Sequence, residues 1–265
     1  MIKLIATDLD GTLLNAMHTT DTKILNAIEQ IIASGIIFVV ATGRAMQGQQ
    51  TQLLFPQLPI YVISNNGAII TDTQGQIIYE KVIESSFIEK TLTQFPEMIF
   101  DFVGITNTWV NASKDEYANN IDFTHFSDEA ISRFLDDKVY NQKTEDLINQ
   151  RIIKMNGKKI INNGFDALLQ RENSVTNAPY VDTIYEITHH KVNKANAIKK
   201  LTKKLGINED EVAVFGDGGN DLEMLNDFRH SYAVENAIES AKEKATHIIG
   251  RHDTYSVIQK MLELI

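Results

Sequence analysis

The sequence predicts an α/β fold, with a parallel-sheet core built from the first and last thirds of the chain and an α+β segment inserted between them. Three observations carry this. Short apolar runs alternate with amphipathic helical stretches at both ends of the chain, the pattern of a parallel sheet with crossover helices. The middle loses that alternation and reads as short paired strands. The length, 265 residues, exceeds one ordinary domain of about 150 residues.

Ile2 to Thr7 is a short apolar run, a buried strand. Asp21 can cap a helix whose apolar face is Ile24, Ile28, Ile31 and Ile32, with Gly35 at its end. Ile36 to Ala41 is continuously apolar, as a central parallel strand covered on both faces must be. A glutamine-rich helix is expected next, closed by Pro56 and Pro59. Ile60 to Ile63 reads as a third strand, and Asn65-Asn66-Gly67 as a turn. Ala68 to Asp72 and Gln76 to Lys81 read as a hairpin around Thr73-Gln74-Gly75. In the middle, Met98 to Val103, Thr106 to Ala112, Arg151 to Met155 and Val181 to Ile187 read as strands, and Phe165 to Arg171 as a helix. Then Ile198, Leu201 and Leu205 mark a helix ended by Gly206. Val212 to Phe215 is a buried strand, a helix lies around Leu222 to Leu225, and two more strand–helix steps finish the chain.

Composition excludes several classes. With 35 acidic and 25 basic residues the formal charge is −10, which repels a phosphate backbone, so no nucleic-acid partner is expected. The absence of cysteine removes disulfides, thiolate zinc sites and thiol nucleophiles. The longest apolar run, Ile31 to Ala41, is far short of the about 20 residues a membrane span needs. Asp8 and Asp10 interrupt the place where a signal peptide would stay apolar. A cytoplasmic protein with no membrane partner is expected, as a monomer or homodimer. No pair of its histidines has the HExxH spacing of a zinc hydrolase, and His189-His190 reads as a partly exposed loop.

Three strands run straight into polar loops. The first ends in Asp8-Leu9-Asp10-Gly11-Thr12. Ligands bind at the carboxyl ends of strands in α/β sheets, and two carboxylates there suit a metal ligand, a nucleophile or a general acid/base. The second ends in Thr42-Gly43-Arg44, where a hydroxyl, free backbone N–H groups and the Arg44 charge suit a phosphate oxygen. Val212 to Phe215 ends in Gly216-Asp217-Gly218-Gly219-Asn220-Asp221, an oxygen-rich loop that favours Mg²⁺. The loop fits neither a calcium EF-hand nor the dinucleotide fingerprint. Lys194, near a helix start, could reach a phosphoryl group.

DLDGT, a strand-terminal TGR, a lone lysine and GDGGND, in this order, resemble the four motifs of the haloacid dehalogenase superfamily. The insertion resembles that of its Cof-type phosphatases, which carry an α/β cap between the second and third motifs. Asn236-Ala237 and Ala245 resemble the C-terminal pattern. D-x-D-G-T should arise by chance at roughly one position in 10⁵ at ordinary composition.

The resemblance implies a Rossmann-like parallel-sheet core at 1–82 and 188–265, with an inserted cap at 83–187. It implies a phosphoric monoester hydrolase acting on small phosphorylated metabolites such as sugar phosphates, flavin mononucleotide or pyridoxal phosphate. Asp8 would be the nucleophile that becomes an aspartyl-phosphate, and Asp10 the acid and base. Mg²⁺ would be held by the Asp8 carboxylate, the Asp10 backbone carbonyl and Asp217. Thr42, Gly43, Lys194 and Asn220 would hold phosphoryl oxygens, and Asp221 would orient the metal's water or Lys194. The glycines that flank the motif lysine in such relatives are here Lys191 and Ala195, so Lys191 stands as the competing lysine.

Two alternatives are a phosphosugar mutase and a non-catalytic sugar-phosphate binder. Mutases of this superfamily carry a helical cap after the first motif, and the stretch between Asp8 and Thr42 is used up by a helix and a strand. A receiver domain has the wrong length and motif order. The segment 83–187 carries 17 acidic and 10 basic residues. That excess is expected to disfavour a second anionic group on the substrate.

Overall fold

Every residue of Leu4–Thr7 (β1) is buried, because this strand is covered on both faces. The computed structural model describes residues 1–45, 54–124, 127–161, 164–177 and 183–265. The remaining strands, in chain order, are β2 (Ile37–Ala41), β3 (Tyr61–Ser64), β4 (Ile69–Thr71), β5 (Ile77–Glu80), β6 (Phe100–Gly104), β7 (Thr108–Val110), β8 (Lys138–Val139), β9 (Ile152–Lys158), β10 (Val175–Asn177), β11 (Ile184–His189), β12 (Val212–Gly216), β13 (His230–Val234) and β14 (His247–Ile249). The chain divides into two compact units, Met1–Glu80 with Val192–Ile265, and Lys81–Lys191. The sequence placed the joins at 82/83 and 187/188; β11 runs on to His189, which carries the second join further along the chain.

The first unit is the α/β core. Its eight-stranded sheet has the order β14-β13-β12-β1-β2-β3-β4-β5. β1 pairs in parallel with β12 on one side and β2 on the other, so the carboxyl ends of all three lie along one edge of the sheet. β4 and β5 instead join antiparallel, so the sheet is not parallel throughout. The reason is local: Asn65-Asn66-Gly67 reverses the chain directly after β3, and a parallel crossover needs a dozen or more residues. The helix Thr22–Ala33 is capped by Asp21, whose carboxylate accepts from the N–H groups of Lys23 and Ile24 at 3.0 Å each. It buries Ile24, Ala27, Ile28 and Ile31. The helix Lys194–Leu205 is capped by Asn193, which accepts from the Asn196 N–H at 2.7 Å. The glutamine-rich helix expected after Arg44 falls on residues 46–53, outside the described residues.

The second unit is built on a sheet of order β10-β11-β9-β6-β7-β8, antiparallel except for the β7–β8 pair. One face carries Phe100, Phe102, Met155, Tyr185 and Ile187, packed with Phe165 and Leu168 of the helix Phe165–Arg171. The other face carries a polar network. The buried Asp101 accepts from the Tyr117 hydroxyl and, at 2.6 Å, from the Asn156 amide. The strand expected over Thr106 to Ala112 pairs only at 108–110, because the Asn111 side chain takes over from the ladder. It accepts from the Phe100 N–H at 2.8 Å and donates to the Met98 carbonyl at 2.9 Å. Residues 181 and 182 of the last expected strand lie outside the described residues. His189 is no exposed loop residue: it ends β11 opposite Val175 and is 2% exposed, leaving only His190 at the surface. Among the described residues no helix is long and apolar enough to cross a membrane.

Candidate active site

The parallel register brings three polar loops together. Asp8 directly follows β1, and its N–H donates to the Phe215 carbonyl of β12 at 2.9 Å. Thr42 directly follows β2, and Asp217 directly follows β12. Lys194 enters from the first turn of its helix and is fully buried. Its Nζ lies 2.6 Å from Asp8 Oδ1 and 2.7 Å from Asp221 Oδ1. Asp221 Oδ2 accepts from the N–H groups of Asp217 and Gly218, both at 2.9 Å. Both Asp221 oxygens are therefore engaged, and its carboxylate orients the lysine and the Asp217 loop. Asp217 Oδ1 accepts from the Thr12 hydroxyl at 2.7 Å. Gly11 has φ +82, and a side chain there would bring its Cβ within 2.5 Å of Asp217 Oδ2, so only glycine brings the first loop this close to the third.

Asp8, Asp217 and Asp221 each offer an oxygen within 4.8 Å of the others. Asp8 is 6% exposed and Asp221 fully buried. Three carboxylates packed this closely repel one another, and Lys194 supplies one positive charge among them. Burial, with Asp221 and Asp217 adding repulsion, pushes the Asp8 carboxyl up to about 7 against the opposing pull of Lys194. Burial likewise raises Asp217, against the Thr12 hydrogen bond. An all-oxygen cluster of three carboxylates with one positive charge among them carries a net negative charge, which suits a hard divalent cation. The residues present fit such an ion, with Asp8 and Asp217 as the carboxylates still able to reach it.

Asp10 stands apart from this cluster. Its carboxylate is held by Arg44 in a two-point ion pair, Nε to Oδ2 at 2.8 Å and Nη2 to Oδ1 at 2.6 Å, with His18 Nδ1 at 3.0 Å from Oδ1. Burial pulls the Asp10 carboxyl up, but the hydrogen bonds and charges of Arg44 and His18 outweigh it and hold the group below the ordinary carboxylate range. Asp221 thus lies beside the two carboxylates expected to hold the metal but is turned to Lys194 and the Asp217 loop, and the Asp10 carboxylate, expected as acid and base, is paired with Arg44. Thr42 is buried, with its hydroxyl accepting from the Arg44 N–H at 3.1 Å. Of the two candidate lysines, Lys194 lies on Asp8, whereas Lys191 belongs to the second unit and is exposed.

Some residues of the site were not singled out from sequence. Thr12 was visible inside DLDGT. Asn236 stood in the C-terminal pattern; its amide donates to the Gly11 carbonyl at 2.9 Å and braces the first loop. Asn66 read only as a turn residue, yet its Oδ1 accepts from Asn220 Nδ2 at 2.9 Å. His18 carried no sequence signal.

Acidic loops at the carboxyl ends of neighbouring parallel strands, gathered on one buried lysine, form a carboxylate site that fits a divalent cation. The chain belongs to the haloacid dehalogenase-like hydrolases, whose family model matches residues 5–262. Phosphatase YwpJ of Bacillus subtilis is 27% identical over 287 residues, covering 100% of both chains. The Escherichia coli 5-amino-6-(5-phospho-D-ribitylamino)uracil phosphatase YbjI is 28% identical over 277 residues, covering 99% of this chain and 97% of that protein. A solved haloacid dehalogenase-like hydrolase from B. subtilis superposes with a TM-score of 0.76 at 25% identity, covering 100% of both chains. Within this family the chain is a phosphatase, a phosphoric monoester hydrolase.

Proposed function

We propose that the protein is a Mg²⁺-dependent phosphatase of small phosphorylated metabolites that works through a phosphorylated Asp8. The observation that carries this is the contact of Asp8 with the buried Lys194, beside Asp217 at the ends of β1 and β12. A phosphate monoester and a carboxylate nucleophile are both anionic, so attack requires neutralisation and alignment more than covalent help. Asp8, Asp217 and the Asp10 backbone carbonyl would hold Mg²⁺, which supplies positive charge to the phosphoryl oxygens. Lys194 places a second positive charge at the Asp8 carboxylate. Thr42, Gly43 and Asn220 supply hydroxyl, N–H and amide donors for the phosphoryl oxygens.

Asp8 Oδ1 is tied to Lys194, which leaves Oδ2 to attack phosphorus as the ester oxygen departs. Asp10 protonates that oxygen, then takes a proton from the water that hydrolyses the aspartyl-phosphate. The Arg44 pairing keeps Asp10 ionised, the form that activates water; to act as the acid, Asp10 must first leave that pairing and take up a proton from solvent. The net charge of −10 favours a substrate whose remainder carries no second anionic group, and the substrate named for YbjI, a ribityl monophosphate, is of that kind.

Metal removal tests this. Dialysis against a chelator should abolish turnover of p-nitrophenyl phosphate, and Mg²⁺ should restore it. The metal should also stabilise in a pH-dependent way. A carboxyl raised from 3.8 to about 7 binds more protons folded than unfolded across that range, so its contribution to stability falls as pH rises through it. A cation that replaces the proton removes this loss. The rise in melting temperature given by Mg²⁺ should therefore be larger at pH 8 than at pH 5. Full turnover in excess chelator, or an equal rise at both pH values, would contradict the metal assignment.

A further inference from the structure

The turn Asn65-Asn66-Gly67 does more than reverse the chain. Asn65 and Asn66 both adopt left-handed backbone, φ 49 and 55, which asparagine tolerates better than most residues. Their N–H groups donate to the Arg44 and Thr42 carbonyls, each at 3.0 Å. Gly67, at φ +106, lies so close to the Asn193 carbonyl that a Cβ there would sit 2.4 Å from its oxygen. Asn66 Oδ1 accepts from Asn220 Nδ2 at 2.9 Å. One turn thus touches the Thr42–Arg44 loop, the cap of the helix that begins with Lys194, and Asn220. These three segments carry every residue assigned above to the phosphoryl oxygens.

We propose that Asn66 is a positioning residue for phosphoryl binding, holding the Asn220 carboxamide so that its N–H side, not its oxygen, faces Gly43. The proposal rests on the assignment of Asn220 to the phosphoryl group. A carboxamide has a donor end and an acceptor end of nearly the same shape, and unanchored it can present either. Phosphoryl oxygens only accept, so a flipped Asn220 would set oxygen against oxygen. The structure supplies the anchor. Asn220 Oδ1 lies on the Gly218 side, 3.0 Å from where a Cβ on Gly218 would be. Asn220 Nδ2 lies on the Gly43 side, 3.5 Å from where a Cβ on Gly43 would be, and Asn66 Oδ1 is 2.9 Å from the same point. Asn66 uses one of the two amide hydrogens of Asn220 and leaves the other for a ligand.

The test is a double-mutant cycle read on the affinity of the Mg²⁺-loaded protein for inorganic phosphate, with KM and kcat for p-nitrophenyl phosphate beside it. Asn66→Gly removes the acceptor while suiting the left-handed backbone, so the turn is kept. It should weaken phosphate binding and raise KM by about threefold to tenfold, the loss of one hydrogen bond's worth of orientation, with a smaller change in kcat. Asn220→Ala should weaken phosphate at least as much. The double variant should match Asn220→Ala within about twofold, because Asn66 has nothing left to orient. Melting temperatures report that each variant is folded. Phosphate affinity of Asn66→Gly equal to the parent's, or losses that multiply in the double variant, would overturn the proposal. If Asn220→Ala itself binds phosphate as the parent does, the assignment of Asn220 fails and the proposal falls with it.

Discussion

Asp8→Asn is expected to abolish turnover and leave the protein folded. The amide cannot attack phosphorus and is a weak metal ligand, so kcat should fall at least about 10⁴-fold. Stability should hold, for a reason specific to this site. Asp8 is pushed up to about 7 by burial and by repulsion from Asp221 and Asp217, so as an anion it costs stability above that pH. Lys194 keeps its contact with Asp221 when Asp8 is neutral. The metal-free variant should therefore melt no lower than the parent at pH 8. Near-normal kcat in Asp8→Asn would sink the mechanism, and a collapse of the melting temperature would contradict the charge argument.

Lys194→Met should damage both activity and the fold. The ammonium is fully buried and neutralises two carboxylates. Its removal leaves both in a site they cannot leave, and stripping one partner from a buried pair costs about 3–5 kcal/mol. In a chain of this size that lowers the melting temperature by roughly 10 °C. The loss should be smaller at pH 5 than at pH 8, because the raised Asp8 carboxyl is protonated at the lower pH. Turnover should fall to background, since the phosphoryl group loses its protein-borne charge. Lys191→Met is the discriminating control: Lys191 is exposed in the other unit, and this change should leave stability and kcat near those of the parent. The opposite pattern, with Lys191→Met inactive and Lys194→Met active, would reverse the choice of lysine.

The core of the site was legible because its chemistry sits at strand ends. β1, β2 and β12 are continuous apolar runs, and each ends in a polar loop. A parallel sheet then places those loops at one edge. The hairpin β4–β5 was legible too, but not its addition to the core sheet, which depends on how Asn65 and Asn66 turn the chain back beside β3. The inserted unit was read only in part. β8 has two residues, and the helices Lys114–Asn119 and Thr144–Leu147 bury one residue each, too few for an apolar period to register. Contacts between distant side chains left no local pattern at all. Asn66 and Asn220 are 154 positions apart, and the Arg44–Asp10 pair joins two loops with no shared spacing rule.

That pair also shapes the central test. With Asp10 held ionised by Arg44 and His18, the step most exposed to its loss is activation of water on the phosphorylated enzyme. p-Nitrophenolate leaves readily without a proton, so Asp10→Asn should still be phosphorylated by p-nitrophenyl phosphate but hydrolyse the acyl phosphate slowly. The most direct measurement is to quench this variant, loaded with Mg²⁺, in the burst phase, reduce it with borohydride and locate the modified residue by mass spectrometry. The expected result is one burst equivalent of p-nitrophenol with Asp8 converted to homoserine. A full burst with Asp8 unmodified would contradict Asp8 as the nucleophile.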